Sequence, residues 1–175
     1  MNKRYKHVKD TPARGFTIIE VVLVLAIAGL IFLMVFIALP ALQRGQRDAQ
    51  RKQDLSRISV QMTNYLSSSR GAIPGSDQQL TTFVQNYLRR DSDKQNTSLG
   101  PKQAGDDYKD PDGTNYTLKL AQQPSTTAEI GYYPKHLCSP DSSDGIQSNA
   151  TAPRDYAFTI KLESQDVPFC IDNKS

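Results

Sequence analysis

One carboxylate, Glu20, lies near the start of a long apolar segment, where a charge needs an explanation. Placing a carboxylate in an apolar helix costs a few kcal/mol on insertion scales, so such a residue usually has a partner. If the chain is cut between Gly15 and Phe16, the new α-amino group lies about one helical turn from Glu20. In a bundle of such helices, Glu20 of one subunit could pair with the amine of its neighbour and set the axial register.

The apolar segment that follows Glu20 is long enough to cross a membrane. Residues 21–39 carry no charge and are nearly all large and apolar. As a helix this run spans about 28 Å, close to the hydrocarbon thickness of a bilayer. A secretory signal peptide has a shorter apolar region, with its cleavage site after it. Here Gly15 and Phe16 precede the apolar region, so a cut between them would remove the basic leader and keep the helix.

The residues around this junction resemble the class III signal of type IV prepilins and pseudopilins. The resemblance rests on Gly15, Phe16, the segment 17–20 ending in Glu20, and the apolar run, which contains the helix-weakening residue Gly29 and is followed by Pro40. It implies that a prepilin peptidase cleaves after Gly15 and N-methylates Phe16. It further implies that a membrane assembly platform and its ATPase extrude the subunit into a helical filament of identical or related subunits.

The chain is expected to have four segments. Residues 1–15 form the basic leader, 16–42 the transmembrane and filament-core helix, 43–69 an amphipathic continuation of that helix, and 70–175 a globular head.

Net charge gives no case for nucleic-acid binding by the mature chain. The whole sequence carries a formal charge of +3, but residues 1–15 hold five Lys and Arg against one Asp, which is +4. The remainder is therefore 3 − 4 = −1, so the basic character belongs to the leader.

The fold is predicted to be α+β and pilin-like, with the long N-terminal helix packed on a small four-stranded antiparallel sheet. One helical face of residues 55–66 is apolar. A second, short helix is expected after a capping box of Ser76 and Gln79, and it should end near Arg89 and Arg90. Residues 116–120, 130–133, 156–162 and 167–171 have the composition or alternation of strands.

Cys138 and Cys170 are predicted to form a disulfide, since an exported chain can keep one and many pilins have a C-terminal disulfide-bounded loop. The alternative is a pair of free buried thiols. His136 stands close to Cys138, but a cysteine in a disulfide is no nucleophile. With no zinc spacing and no phosphate-binding glycine loop, we expect no enzymatic activity.

Two charged segments could bind ligands. The acidic turn that contains Asp106, Asp107, Asp110 and Asp112 could hold Ca²⁺, and it resembles a turn before the sheet of pilins, some of which bind calcium. The alternative is a solvated turn in which Gly113 takes a positive φ. The basic run from Arg44 to Arg57 could bind anionic membrane lipid or DNA, although a solvated or inter-subunit helix face is favoured.

These expectations make the chain a structural subunit of a type IV pilus-like filament, serving adhesion, motility or DNA uptake. It would sit in the plasma membrane before assembly and in an extracellular pilus afterwards. One alternative is a pseudopilin of a type II secretion or competence system. Another is a single-pass membrane-anchored binding protein, which would keep its leader and would not need Glu20.

Overall fold

The computed structural model describes residues 15–88, 108–147 and 151–174. The chain divides into two compact units, Met1–Ala41 and Leu42–Ser175. Helix α1 covers Ile18–Ser68, helix α2 covers Asp77–Phe83, and a π-helical turn over Val84–Leu88 continues α2. The strands are β1 (Thr117–Leu120), β2 (Glu129–Pro134), β3 (Tyr156–Ile160) and β4 (Phe169–Asp172).

Helix α1 is unbroken through Pro40 and changes character along its length. Its apolar first half has no buried residue, whereas from Asp48 onward one side is buried in the head. The helix ends where Arg70 and Gly71 adopt positive φ angles of 56° and 80°, and the Gly71 N–H donates to the Leu66 carbonyl at 2.8 Å. A left-handed residue of this kind is the usual way to end a helix.

The start of α2 has the predicted cap with one altered partner. The Ser76 hydroxyl accepts from the Gln79 N–H, as a capping box requires. The Gln79 side chain, however, accepts from the Gly75 N–H at 2.8 Å, one residue before the cap. The apolar face of this segment is buried, with Leu80, Phe83, Val84 and Leu88 all in the core.

The sheet has the strand order β1-β2-β3-β4, and all four predicted strands are present. β3 is central and wholly buried, and it pairs antiparallel with both β2 and β4. Period-two alternation then separates two small cores. Tyr132 and Phe158 face the main core on one side, while Tyr133 and Ala157 face a second cluster on the other.

The sheet is mixed, so the prediction of a wholly antiparallel sheet is wrong in one pairing. β1 pairs with β2 in parallel, with Thr117 opposite Glu129 and Leu120 opposite Tyr132. The connection over residues 121–128 is long enough to run back along a four-residue strand of about 13 Å. It begins at Ala121, whose φ is 48°, and passes so close to Gly131 that a Cβ there would lie 2.5 Å from the Gln122 carbonyl oxygen. Glycine at position 131 therefore permits the crossover.

The main core joins α1, α2 and the sheet in two layers. Its fully buried members from α1 are Leu55, Ile58 and Met62, which is the predicted apolar face. On the opposite side of the sheet, the disulfide between Cys138 and Cys170 packs against Tyr133, Ile146 and Ala157. Its 32-residue separation corresponds to about 3–4 kcal/mol in the chain-entropy account of cross-linking. Both thiols are bonded, so a Cys–His dyad with His136 is excluded.

Candidate processing and assembly site

The junction between Gly15 and Phe16 lies outside the helix and is open to solvent. Residues 15–17 precede the first helical residue, Ile18, and the Phe16 side chain is 85% exposed. Apart from its chain neighbours, no atom of the described residues lies within 4 Å of where a Gly15 side chain would begin. A protease needs an exposed, non-helical bond, and this junction meets both conditions.

Thr17 and Glu20 organise the first turn of α1. The Thr17 carbonyl accepts from the N–H groups of Glu20 (3.1 Å) and Val21 (3.3 Å), so Thr17 occupies the capping position. Its hydroxyl also donates to the Glu20 carboxylate at 3.5 Å. A carboxylate in the first turn is favoured by the partial positive charge of the helix N-terminus. Glu20 thus lies one turn from Phe16 and is exposed, which leaves it available to a second chain.

The apolar half of α1 is fully available for intermolecular contact. Among the described residues, α1 is the one helix long and apolar enough to cross a membrane, judged by length and composition. None of the side chains in its most apolar stretch is buried within the chain. Exposed apolar area of this extent is stable only in a lipid bilayer or against other apolar helices.

A cluster of four charged residues ties α1 to the head. We call Asp48, Arg51, Asp110 and Glu163 the charge cluster. Arg51 is 1% exposed and binds Asp110 with two hydrogen bonds, Nε to Oδ1 at 2.6 Å and Nη2 to Oδ2 at 2.9 Å. Its Nη1 also donates to Asp48 (2.9 Å) and Glu163 (2.8 Å). The fork of a guanidinium suits such paired contacts, so one side chain links α1 to two separate loops.

Asp48 holds the turn between β3 and β4 directly. Its carboxylate accepts from the N–H groups of Glu163 and Ser164, both at 2.9 Å, and from the Ser164 hydroxyl at 2.5 Å. Burial raises the pKa of Asp48, but the bonds from Ser164, Glu163 and Arg51 outweigh burial and hold this pKa below its usual value. The hydrogen bond from Arg47 likewise lowers the pKa of Glu163. Both groups are therefore ionised at neutral pH.

The charge cluster was missed by sequence reasoning, although the sequence contains its signal. Asp48 and Arg51 continue the spacing of Leu55, Ile58 and Met62 toward the N-terminus, at steps of three and four residues. Because both residues are charged, the run from Arg44 to Arg57 was expected to form a solvated or inter-subunit helix face. A charge on the core-facing stripe is instead evidence of a buried partner elsewhere in the chain.

The predicted solvated or ligand-binding basic run is largely engaged within the chain. Arg47 bridges to Glu163 at 2.5 Å, Arg51 is buried, and Arg57 bridges to Asp54 at 3.2 Å. The Lys52 ammonium lies 5.0 Å from the centre of the Phe169 ring. The Arg57 guanidinium also lies 4.8 Å from the centre of the Tyr108 ring. Of the five cations in the run, all but Arg44 thus have partners within the described part of the chain, which removes most of the surface that DNA would need.

The acidic turn is also partly engaged. Asp110 is 2% exposed and is bound to Arg51, so it is not the solvated turn residue that the alternative assumed. Asp112 is exposed and accepts from the Thr114 N–H at 2.8 Å, and Gly113 has the predicted positive φ, at 92°. Asp106 and Asp107 lie outside the described residues. Among the described residues, no group of three or more His, Cys, Asp or Glu could hold a metal ion.

At Asp54 the effect of burial on the pKa is not outweighed by hydrogen bonds, in contrast to Asp48. Asp54 is 3% exposed, and burial raises its pKa despite Arg57 and a hydrogen bond from the Tyr116 hydroxyl. The pKa of Asp54 is higher in the folded protein than in the unfolded chain, so the free energy of unfolding falls as the pH rises between these two pKa values. Above the folded pKa the free energy of unfolding stays at this lower level. Asp54→Asn is therefore expected to leave the head as stable as the unmodified protein, or more stable, at neutral pH. Urea unfolding of the full chain in detergent, followed by tyrosine circular dichroism, measures this.

Asp48→Asn is the matched control on the same helix. The pKa of Asp48 is lowered, so its ionised form stabilises the fold above the unfolded pKa, and its loss should cost about 1–3 kcal/mol. Equal losses from Asp54→Asn and Asp48→Asn would show that burial of the Asp54 charge carries no penalty.

Comparison with known proteins identifies the N-terminal segment. Residues 11–36 match the family model described as the prokaryotic N-terminal methylation motif. No curated protein and no solved structure matches the chain. The match covers the junction at Gly15, the capping residues Thr17 and Glu20, and most of the exposed apolar helix. Together with the α+β head, it shows that this chain carries the class III N-terminal signal of type IV pilins and pseudopilins.

Proposed function

We propose that this chain is a structural subunit of a type IV pilus-like filament that serves adhesion, motility or DNA uptake. Prepilin peptidase cleaves after Gly15 and N-methylates Phe16. The processed subunit is held in the plasma membrane until assembly. The assembly platform and its ATPase then move it into an extracellular filament, where its apolar helix packs with those of other subunits.

One observation carries the proposal: the cleavable junction, the first-turn carboxylate and the apolar helix occur in this order, and all three are exposed. After cleavage, Glu20 lies one turn from the Phe16 amine. In a helix bundle, each Glu20 can pair with the amine of a neighbouring chain in an apolar surrounding, where the pair neutralises two costly charges.

The first test is the mass of the mature N-terminus in filaments sheared from cells. We expect the chain to start at Phe16, with one methyl group on its nitrogen, and to occur in the sheared fraction. Processed protein that is found only in the envelope would favour the pseudopilin. An intact leader in the membrane would favour the anchored binding protein and contradict both filament assignments.

The pseudopilin remains the second candidate because the methylation motif is common to both classes. Calcium bound by the acidic turn is a separate proposal. Because Asp110 is already bound to Arg51, such a site would depend chiefly on Asp106, Asp107 and Asp112. Calorimetric titration of the full chain with CaCl₂, with Asp112→Asn as the comparison, tests it.

A further inference from the structure

An open cleft in the head is lined by both basic and acidic side chains. Its volume is about 450 Å³, and its lining includes Arg44, Thr127, Lys161, Glu163, Gln165 and Asp166. We call it the Arg44–Lys161 cleft. All of these residues lie in the unit that begins at Leu42.

The two cations of the cleft differ from their neighbours because they are not neutralised. Within the described residues, Arg44 has no carboxylate partner, and the Lys161 ammonium donates to a neutral acceptor, the Ser125 carbonyl, at 3.3 Å. The Glu163 carboxylate, in contrast, is already shared between Arg47 and Arg51. Asp166 is exposed and adds one negative charge to the cleft. The cleft therefore offers two cations and one anion to a ligand.

The position of Arg44 along the chain indicates which ligand is within reach. Arg44 lies two residues after Leu42, the last large apolar residue of the exposed run. Both residues belong to α1, so about 3 Å of helical rise separates them. When the apolar run is inserted in a bilayer, residues directly beyond it lie in the layer of phospholipid headgroups. Phosphate groups are concentrated there, and guanidinium and ammonium groups are their usual partners.

We propose that the Arg44–Lys161 cleft binds the headgroup of a phospholipid that carries an amine, such as phosphatidylethanolamine. The phosphate lies between the Arg44 guanidinium and the Lys161 ammonium, and the headgroup ammonium donates to Asp166. This inference rests on the membrane stage of the proposed function. It gives the head a lipid contact while the subunit waits in the bilayer, and this contact must be released on extraction.

The test compares lipid retention by the full chain in a mild detergent, measured by native mass spectrometry. Equal amounts of phosphatidylethanolamine and phosphatidylglycerol are added to the unmodified protein, to R44Q/K161Q, and to R70Q/K135Q. The last variant removes the same charge from two exposed cations outside the cleft. All three proteins keep the same apolar helix, so lipid held by the helix alone contributes equally.

We expect the unmodified protein and R70Q/K135Q to retain phosphatidylethanolamine in preference to phosphatidylglycerol. A charge-assisted contact to the phosphate contributes at least about tenfold in affinity, so R44Q/K161Q, which loses both charges, should bind the lipid at least about tenfold more weakly. Equal retention by the two double variants would overturn the proposal, and a preference for phosphatidylglycerol would overturn the role of Asp166. If inorganic phosphate binds the cleft as tightly as the lipid does, the ligand is free phosphate and the membrane assignment fails.

Cleavage at Gly15 and filament yield are measured in the same cells. R44Q/K161Q should be cleaved normally, because both residues lie outside the methylation motif at residues 11–36. An unmodified protein that is never cleaved refutes the proposed filament function, whereas loss of selective lipid binding with normal cleavage refutes only the cleft.

Discussion

Replacing Glu20 with alanine should leave cleavage after Gly15 intact and reduce filament yield roughly ten- to a hundredfold. The estimate follows from the few kcal/mol that a charge pair is worth in an apolar surrounding, where each 1.4 kcal/mol is a factor of about ten. Cleavage should persist because the scissile junction lies outside the helix and is exposed whether or not position 20 is charged. The mass of the N-terminus and the amount of protein in the sheared fraction measure the two steps separately.

Two further variants separate the charge of Glu20 from its contribution to the helix start. Glu20→Gln keeps the size of the side chain and removes the charge, so it should assemble as poorly as Glu20→Ala. Thr17→Val keeps the charge and removes the hydroxyl that donates to Glu20, so its filament yield should fall much less. Normal yield from Glu20→Ala would exclude the pairing of Glu20 with a neighbouring amine, and equal loss from Thr17→Val would assign the effect to the first turn of α1.

Local patterns predicted the elements of this fold well, because each pattern reports on its own segment. The alternation in residues 156–162 predicted the buried strand β3, which ends at Ile160, and Leu55, Ile58 and Met62 pack into the core as their spacing indicates. The parallel pairing of β1 with β2 depends instead on the path of the connecting loop. This loop passes close to Gly131. The residues around Gly131 have the composition of a strand, so the sequence does not predict the path of the loop.

The residues of the candidate site also fall into two groups, those that a local pattern predicts and those that it does not. Gly15, Phe16 and Glu20 were predicted from a short, contiguous motif, and all three lie within the residues that the family model matches. Two partners of Arg51, Asp110 and Glu163, lie 59 and 112 residues away in the chain, so no local pattern could pair them with it. What the sequence does contain is a charge on the apolar stripe of α1, and burying an unpaired charge costs so much that a distant counter-ion is required.

Replacing Arg51 with methionine should destabilise the head by about 3–5 kcal/mol, because the change leaves the carboxylates of Asp48 and Asp110 buried without their cation. Arg47→Met is the matched control, since Arg47 shares Glu163 with Arg51 but its side chain is 39% exposed. Its loss should cost much less than that of Arg51, because solvent screens an exposed ion pair. Urea unfolding of the full chain in detergent, followed by tyrosine circular dichroism, gives both values.

A second substitution and a lower pH should each reduce the loss of stability that Arg51→Met causes. Adding Asp110→Asn removes one uncompensated charge, so the double variant should be more stable than Arg51→Met alone.

The pH should also change the difference in stability between the unmodified protein and Arg51→Met. In the unmodified protein, the pKa values of Asp48 and Glu163 are lowered, so the stability that these carboxylates provide is present above their unfolded pKa values. This stability is lost as the pH falls through their folded pKa values. Arg51 contributes to both shifts, so the two proteins should converge in acid. A deficit no larger than that of Arg47→Met would mean that the charge cluster is not what holds α1 to the head, and that the apolar contacts of Leu55, Ile58 and Met62 suffice.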